Sequence, residues 1–250
     1  MDAEPDGLMS REIVPGGAHE EQGHGSMPKA EESGRDVRIP IDGSALEGSL
    51  ELPRDASGVV LFAHGAGSSR HSPRNRFVAG ELRAAGVGTL LFDLLTEGEE
   101  ADRANVFDIG LLAERLVAAT EWLRAQPEAA ELPIGYFGAS TGAAAALVAA
   151  ARLGEQITAV VSRGGRPDLA GRALGEVSAP TLLIVGGDDE VVLDLNREAY
   201  AAMRSEKDLV VVPGATHLFE EPGTLESVAE LAADWFREHF ESTGEARRAA

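Results

Sequence analysis

Residues 132–148 read LPIGYFGASTGAAAALV, and three patterns follow one another in this segment. Leu132–Phe137 is a short apolar run, as expected of a buried strand. Gly138 and Gly142 flank Ser140, and glycines allow the backbone to make a tight, strained turn. The alanines that follow are strong helix formers. The segment therefore predicts a strand, a sharp turn that carries Ser140, and a helix.

The rest of the chain repeats this alternation of strands and helices. Val37–Ile41 and Ala45–Leu52 alternate apolar and polar residues, which predicts an antiparallel hairpin. Later runs are continuously apolar, as in parallel strands that are buried on both faces. Such strands, separated by helical patterns, predict an α/β fold with a doubly wound, mostly parallel sheet flanked by helices. The apolar runs are Val59–Ala63, Thr89–Phe92, Ala159–Val161, Thr181–Val185 and Leu209–Val212, and the helical patterns are Asn75–Ala85, Ile109–Ala125, Ala143–Leu153, Asp194–Arg204 and Leu225–Phe240.

The composition indicates one folded domain with irregular ends. Residues 1–34 are acidic and rich in Gly, His and Glu, and they predict a disordered leader. This leader lacks the basic start and the apolar core of a signal peptide. We expect a single domain over residues 35–241 and a flexible tail over residues 242–250. Segment 162–180, between two predicted strands, is too short for a large cap domain.

The charge and the cysteine content exclude several classes of protein. The chain has 22 basic and 42 acidic residues, a net charge of −20, which argues against a nucleic-acid partner because phosphate binding requires a basic surface. It has no cysteine, which excludes disulfides, thiol nucleophiles and thiolate metal sites. No segment has the length and apolar character of a membrane span. We therefore expect a cytoplasmic protein without nucleic-acid or membrane partners.

Ser140 can act as a nucleophile only if a base and an acid support it. An imidazole must take the hydroxyl proton, and a carboxylate must orient that imidazole. His217 is the candidate base because it follows the apolar run 209–212 and a turn, at the edge where a doubly wound sheet presents its chemistry. The other five histidines are assigned to the leader, to a loop, or to packing and turn support (His19, His24, His64, His71 and His239).

Asp189 is the preferred acid of this constellation. Gly186–Glu190 follows an apolar run and combines two glycines, suited to a turn, with three adjacent carboxylates. Asp189 lies after the turn, three residues before Val192 returns to the core. Asp188 and Glu190 remain alternatives, and either could instead cap the helix that follows.

Backbone amides in two turns are candidates to stabilise the oxyanion that forms when a serine attacks a carbonyl. One donor is the amide of Thr141, directly after the nucleophile. The other should come from the HGAG turn (His64–Gly67), which follows a predicted strand. Ala66 is the preferred donor there and Gly65 the alternative, and His64 is expected to support the turn.

Two arginines near the predicted site are candidates for substrate binding. Arg70 lies in the basic segment 68–76, directly after the HGAG turn, and Arg163 follows a predicted strand. Guanidinium groups bind carboxylates and phosphates in a bidentate manner, so either arginine could bind an anionic group of the substrate. Alternatively, both could pair with structural carboxylates or face solvent. Asp93 and Asp108 are expected to brace loops.

With Ser140, Asp189 and His217 in this chain order and the HGAG turn upstream, residues 36–240 resemble the α/β-hydrolase superfamily, specifically its small dienelactone hydrolase-like branch. The resemblance implies an eight-stranded, mostly parallel sheet and acyl transfer to water through an acyl-enzyme. Dienelactone hydrolases use a cysteine nucleophile, whereas this chain has a serine. We therefore expect a serine carboxylesterase that acts on small, accessible esters without a metal or organic cofactor.

Other functions are compatible with the same sequence features. The fold could serve as a non-catalytic binding protein, because a fold does not guarantee activity. The same three side chains could also act on thioesters or amides, or transfer the acyl group to an acceptor other than water.

Overall fold

The structure, a computed structural model, describes residues 11–12 and 33–249 of the chain. A mixed β-sheet runs through the molecule, and its strands are β1 (Arg11–Glu12), β2 (Ser33–Ile41), β3 (Ser44–Leu52), β4 (Val59–Ala63), β5 (Gly88–Phe92), β6 (Ile134–Ala139), β7 (Ala159–Arg163), β8 (Thr181–Gly186) and β9 (Lys207–Val212). The hairpin β2–β3 is antiparallel, and so is the β3–β5 pair. The other neighbouring strands pair in parallel.

The strand order confirms the predicted sheet. Eight strands lie in the order β9-β8-β7-β6-β4-β5-β3-β2. Strand β5 therefore lies on one side of β4, and β6 to β9 follow one another on the other side. The two-residue strand β1 pairs in parallel beside β9, which places Arg11 and Glu12 of the predicted leader at the edge of the sheet. The other residues of the predicted leader up to residue 32 lie outside the described residues.

Helices cover both faces of the sheet, which explains why its central strands are continuously apolar. Within β4, Leu61 belongs to a buried cluster with residues of α4 and α5, whereas Phe62 belongs to a second cluster with residues of α1 and α7. The helices are α1 (Pro73–Ala84), α2 (Glu97–Glu100), α3 (Arg103–Val106), α4 (Ile109–Arg124), α5 (Thr141–Leu153), α6 (Glu190–Ala202) and α7 (Thr224–Ala249), with 3-10 segments at Gly154–Gln156 and Pro167–Gly175.

Two connections bear on the predicted domain organisation. Between β7 and β8 the chain forms only the 3-10 segment Pro167–Gly175, whose Ala170 and Leu174 are buried, so this connection contains no cap domain. Helix α7 continues to Ala249, through most of the segment that the sequence predicts to be a flexible tail. Among the described residues, no helix combines the length and the apolar character that a bilayer span requires.

The predicted site residues follow the carboxyl ends of parallel strands. Strands β4, β6, β7, β8 and β9 all run in the same direction, so their carboxyl ends lie on one side of the sheet, the carboxyl edge. The HGAG turn follows β4, Ser140 follows β6 and Asp189 follows β8. His217 lies in the loop after β9. Ligands of open α/β sheets bind at such an edge.

Candidate active site

Ser140 occupies a strained turn between β6 and α5. Its backbone angles are φ 51° and ψ −123°, and a positive φ is uncommon for a residue with a side chain. The neighbouring segment holds this conformation from both sides. The Ser140 amide donates to the carbonyl of Arg163 at 3.3 Å, and the Ser140 carbonyl accepts from the amide of Arg166 at 3.0 Å. The turn therefore matches the sharp turn that the sequence predicts.

The two glycines that flank the turn are required by close backbone contacts. A Cβ at Gly138 would lie 2.4 Å from the Cα of Ala143, inside the first turn of α5. A Cβ at Gly142 would lie 2.1 Å from the carbonyl oxygen of Ala63, at the end of β4. Neither position can hold a side chain, so these glycines bring α5 against the HGAG turn.

His217 and Asp189 form a hydrogen-bonded pair. The Nδ1 of His217 lies 2.7 Å from the Oδ2 of Asp189. An ionised carboxylate only accepts hydrogen bonds, so Nδ1 carries the proton and Nε2 has a free lone pair. Of the three adjacent carboxylates, Asp189 is the one that contacts His217, whereas the amide of Asp188 donates to the carbonyl of Ala215.

The loop that carries His217 is fixed by contacts that the sequence did not predict. The amide and the hydroxyl of Thr216 donate to the two carboxylate oxygens of Glu221, at 3.1 and 2.7 Å. These bonds lower the pKa of Glu221. Phe219 is buried and has a positive φ of 54°. At Gly186 a Cβ would lie 2.3 Å from the carbonyl oxygen of Ala215, so the absence of a side chain allows this loop to approach the end of β8.

Ser140 and His217 line one cavity of about 340 Å³, the Ser140 cavity. Residues 65–67 of the HGAG turn, Arg74, Asn75 and Arg163 also line it. This cavity brings the predicted nucleophile and base to a shared space. A larger cavity of about 590 Å³ lies beside α1, and it is lined by charged groups that include Arg70 but by none of the three predicted catalytic residues. We therefore base the functional interpretation on the smaller cavity.

The oxyanion donors predicted from the sequence lie next to Ser140. Thr141 is the first residue of α5, so its amide is one of those that have no acceptor within the helix. Gly65 packs closely, and a Cβ there would lie 3.0 Å from the Cβ of Ser140. The amide of Ala66, however, donates to the hydroxyl Oγ1 of Thr141 at 2.8 Å. The preferred second donor thus has a partner in this structure that no sequence pattern indicates.

His64 supports the HGAG turn, and both of its ring nitrogens contact backbone groups. Its Nε2 accepts from the amide of Leu94 at 3.1 Å, and its Nδ1 donates to the carbonyl of Gly65 at 3.1 Å. Burial lowers the pKa of His64 and outweighs the opposing effects of the Gly65 hydrogen bond and of Asp93 and Glu100. The neutral ring ties the turn to the segment after β5.

The structure separates the two arginines that the sequence groups as substrate-binding candidates. Arg70 forms an ion pair with Asp93, and its amide donates to the Oδ1 of Asp93 at 2.7 Å. It lines the larger cavity and not the Ser140 cavity. This is the structural pairing that the sequence left as the alternative, and it gives Asp93 the expected role in bracing a loop.

Arg163 lies in the Ser140 cavity. Only 6% of the residue is exposed, and its guanidinium carbon lies 5.8 Å from the centre of the Phe219 ring. Its Nε has no hydrogen-bond partner among the described residues. Burial and, to a smaller extent, the charge of Arg74 lower the pKa of Arg163 to about 10. The cavity therefore contains a buried cation whose charge is not balanced by an ion pair in the described part of the chain.

Comparison with other sequences shows two relatives in Mycobacterium tuberculosis. One, whose name describes it as a candidate phosphoribosyl transferase, is 62% identical over 205 residues, which cover 82% of this chain and 46% of that protein. The chain thus spans less than half the length of this relative. The other, an uncharacterized protein, is 32% identical over 220 residues, 77% of this chain and 76% of that protein.

Solved structures share the fold. A dienelactone hydrolase from Anabaena variabilis is 54% identical, has a TM-score of 0.81, and is matched over 84% of this chain and 99% of its own. Est1E from Butyrivibrio proteoclasticus, at 17% identity and a TM-score of 0.71 over 82% of this chain and 99% of its own, shares the fold alone. The sequence pattern of the dienelactone hydrolase family matches residues 75–244. The chain therefore belongs to the dienelactone hydrolase family and has the α/β-hydrolase fold.

Proposed function

We propose that the chain is a serine hydrolase that cleaves carboxylic esters of small substrates through an acyl-enzyme. The observation that carries this proposal is the 2.7 Å hydrogen bond between His217 and Asp189, beside the cavity that His217 shares with Ser140. A serine nucleophile, an imidazole and an orienting carboxylate are the groups that acyl transfer requires.

In the first half of the reaction the Oγ of Ser140 attacks the ester carbonyl. The Nε2 of His217 takes the Oγ proton, and the carboxylate of Asp189 stabilises the imidazolium. The tetrahedral intermediate then collapses: the bond from the carbonyl carbon to the alcohol oxygen breaks, and His217 gives its proton to the leaving alcohol. The acyl group remains on Ser140.

In the second half, water replaces the alcohol. His217 takes a proton from water as the water oxygen attacks the acyl carbon. When the second tetrahedral intermediate collapses, the bond to the Oγ of Ser140 breaks and His217 returns the proton to that oxygen. The free acid leaves, and no cofactor takes part in either half.

The oxyanion is stabilised by backbone amides in this mechanism. The amide of Thr141 is the first donor, because it belongs to the first residue of α5 and has no acceptor within the helix. We assign the amide of Ala66 as the second. It has to exchange its bond to the Thr141 hydroxyl for a bond to the oxyanion, which is the stronger acceptor because it is charged.

The proposal concerns the residues of this chain. The name of the M. tuberculosis relative refers to a protein more than half of which has no counterpart here. Hydrolysis of thioesters or amides uses the same groups and is tested by the same variants. A non-catalytic binding protein would have no reason to keep Ser140 in a strained backbone conformation with a positive φ.

Labelling with a fluorophosphonate probe tests the proposal directly, because the probe reacts with activated serines. We expect labelling of the wild type and hydrolysis of p-nitrophenyl butyrate, and loss of both in Ser140→Ala. Ser178→Ala is the matched control, because Ser178 is exposed and lies outside the Ser140 cavity. If Ser140→Ala kept full hydrolysis and an unchanged fold by circular dichroism, the proposal would be wrong.

A further inference from the structure

We propose that Glu221 is a positioning residue for His217. Its carboxylate holds Thr216, the residue directly before the candidate base, and thereby fixes where the imidazole lies. The effect falls on the rate of the chemical steps, and much less on substrate binding or on the stability of the fold. This inference goes beyond the proposed function but rests on it, since it takes His217 to be the base.

The position of His217 depends on the loop that carries it. The residue lies in the connection 213–223 between β9 and α7, outside any helix or strand. Its side chain is 38% exposed, so packing restrains the ring less than it restrains a core side chain. The 2.7 Å bond to Asp189 can orient the ring only while the backbone keeps it within reach. A displacement of about 1 Å at a reacting group can lower the rate about a hundredfold.

Two anchors hold this loop, one on each side of His217. On the first side, the amide of Asp188 donates to the carbonyl of Ala215 at 3.0 Å, which ties the loop to the turn after β8. On the second side, the two carboxylate oxygens of Glu221 accept from the amide and the hydroxyl of Thr216, at 3.1 and 2.7 Å. These two bonds close residues 216–221 into a ring that contains His217.

Glu221 is itself held by the start of α7. Its backbone carbonyl accepts from the amide and the hydroxyl of Thr224, the first residue of that helix, at 3.1 and 2.7 Å. Helix α7 packs on the sheet through a buried face that includes Val228 and Phe236. A series of contacts therefore runs from the core through α7 and Glu221 to Thr216, and it fixes the backbone next to His217.

The exposure of these bonds separates a role in catalysis from a role in stability. Thr216 is exposed and Glu221 is half-buried, so water can replace both bonds when the carboxylate is removed. The net contribution of such bonds to the free energy of unfolding is small. Water does not hold the loop in one position, however. Loss of the carboxylate should therefore lower kcat and leave KM and Tm nearly unchanged.

Two substitutions of similar length test the inference, with hydrolysis of p-nitrophenyl butyrate as the readout. Glu221→Met removes both acceptors, and we expect kcat to fall by about 10- to 100-fold, with little change in KM or in Tm by circular dichroism. Glu221→Gln removes the charge but can still accept from the Thr216 amide and donate to its hydroxyl, so kcat should stay within about threefold of the wild type. An equal loss in both variants would mean that the charge matters and not the position of Thr216, and the inference would be wrong.

The same substitution in a His217→Ala background shows whether the effect passes through the base. Residues that act as a unit are not additive, so Glu221→Met should change the residual hydrolysis of His217→Ala by less than about twofold. An equal loss in both backgrounds would indicate an effect on the whole fold and overturn the inference. Glu226→Met is the matched control and should have the wild-type kcat and KM, because Glu226 is an exposed glutamate in the first turn of α7, outside the Ser140 cavity.

Failure of this inference differs from failure of the proposed function. Wild-type hydrolysis that Ser140→Ala abolishes, together with an unchanged kcat in Glu221→Met, would overturn the role of Glu221 and leave the proposed function intact. A folded wild type with neither hydrolysis nor fluorophosphonate labelling would overturn both, since no base would then need to be positioned.

Discussion

The amide nitrogen of Ala66 lies 2.8 Å from the Oγ1 of Thr141, so a side chain of α5 holds the turn after β4. Both residues lie beside Ser140, and in the proposed mechanism the Ala66 amide must leave this hydroxyl for the oxyanion. The bond therefore stabilises the resting protein and opposes the transition state. Stability and activity should respond in opposite directions when the hydroxyl is removed.

Thr141→Val removes the hydroxyl and keeps the shape of the side chain. The Ala66 amide then loses its protein partner in the resting state, and we expect the free energy of unfolding to fall by about 1 kcal/mol. The Ala66 amide no longer has to leave the Thr141 hydroxyl before it binds the oxyanion. We therefore expect kcat/KM for p-nitrophenyl butyrate to rise, by up to about tenfold. Urea unfolding and steady-state kinetics measure the two effects.

Thr141→Ser is the control for this substitution, because it retains the hydroxyl and should resemble the wild type in both measurements. If Thr141→Val lowered kcat/KM instead, the hydroxyl would itself have to take part in oxyanion binding. The assignment of the Ala66 amide as a direct donor would then be wrong.

Gly142→Ala tests the close approach of α5 to β4. The added Cβ would lie 2.1 Å from the carbonyl oxygen of Ala63, a backbone atom that cannot move without displacing the strand. We expect a loss of more than about 4 kcal/mol in the free energy of unfolding, or failure to fold. Thermal unfolding followed by circular dichroism measures it.

Gly98→Ala is the comparison, because Gly98 is an exposed helical glycine at which an added Cβ would have no atom within 4 Å. Alanine should there raise stability by about 0.5–1 kcal/mol. Equal effects at the two positions would contradict the packing argument for Gly142.

Local patterns were sufficient to predict the sheet and the strained serine turn, and the catalytic roles of Ser140, Asp189 and His217 stay a prediction. Each depends on a run of apolar residues followed by glycines, and such patterns describe strands and turns directly. Ser140, Asp189 and His217 were each selected because they follow the end of a predicted strand. The hydrogen bond between His217 and Asp189 agrees with the preference for Asp189 over its two acidic neighbours.

Contacts between distant segments could not be predicted in this way. Arg70 and Arg163 look alike in sequence, yet one is paired with Asp93 and the other is buried without a carboxylate partner in the described residues. The short helix α2 lacks apolar periodicity, although Thr96 and Glu99 form a capping box whose sequence pattern could have indicated it. No sequence signal indicates the bond from Ala66 to Thr141.

Stability should depend on pH through His64. Burial lowers the pKa of His64 below its ordinary value of 6.5, against the raising effects of the Gly65 hydrogen bond, Asp93 and Glu100. Below pH 6.5 the unfolded chain therefore binds a proton at this position that the folded protein does not. This contribution to stability is complete above that pH and is lost as the pH falls towards the lowered pKa.

His64→Asn removes the titrating group and tests this expectation. The difference in the free energy of unfolding between wild type and His64→Asn should be largest at about pH 8 and should shrink towards about pH 5. His71→Asn, at an exposed position, is the comparison variant, and its difference in the free energy of unfolding should be small. A constant difference for His64→Asn would mean that His64 does not titrate differently in the two states.

Asp189→Asn and Asp188→Asn distinguish the two adjacent carboxylates. The Asp189 carboxylate keeps the His217 proton on Nδ1, which leaves Nε2 free for the role of base in the proposed mechanism. An asparagine amide can donate to Nδ1 and so stabilise the tautomer with the proton on Nε2, which cannot act as a base. We expect kcat for p-nitrophenyl butyrate to fall by about 10³–10⁴-fold in Asp189→Asn, with unchanged thermal stability.

Asp188→Asn is the control for this substitution. The contact of Asp188 with the loop of His217 uses its backbone amide, which the substitution retains, so Asp188→Asn should keep most of its activity. A larger loss in Asp188→Asn than in Asp189→Asn would transfer the role of the acid to Asp188.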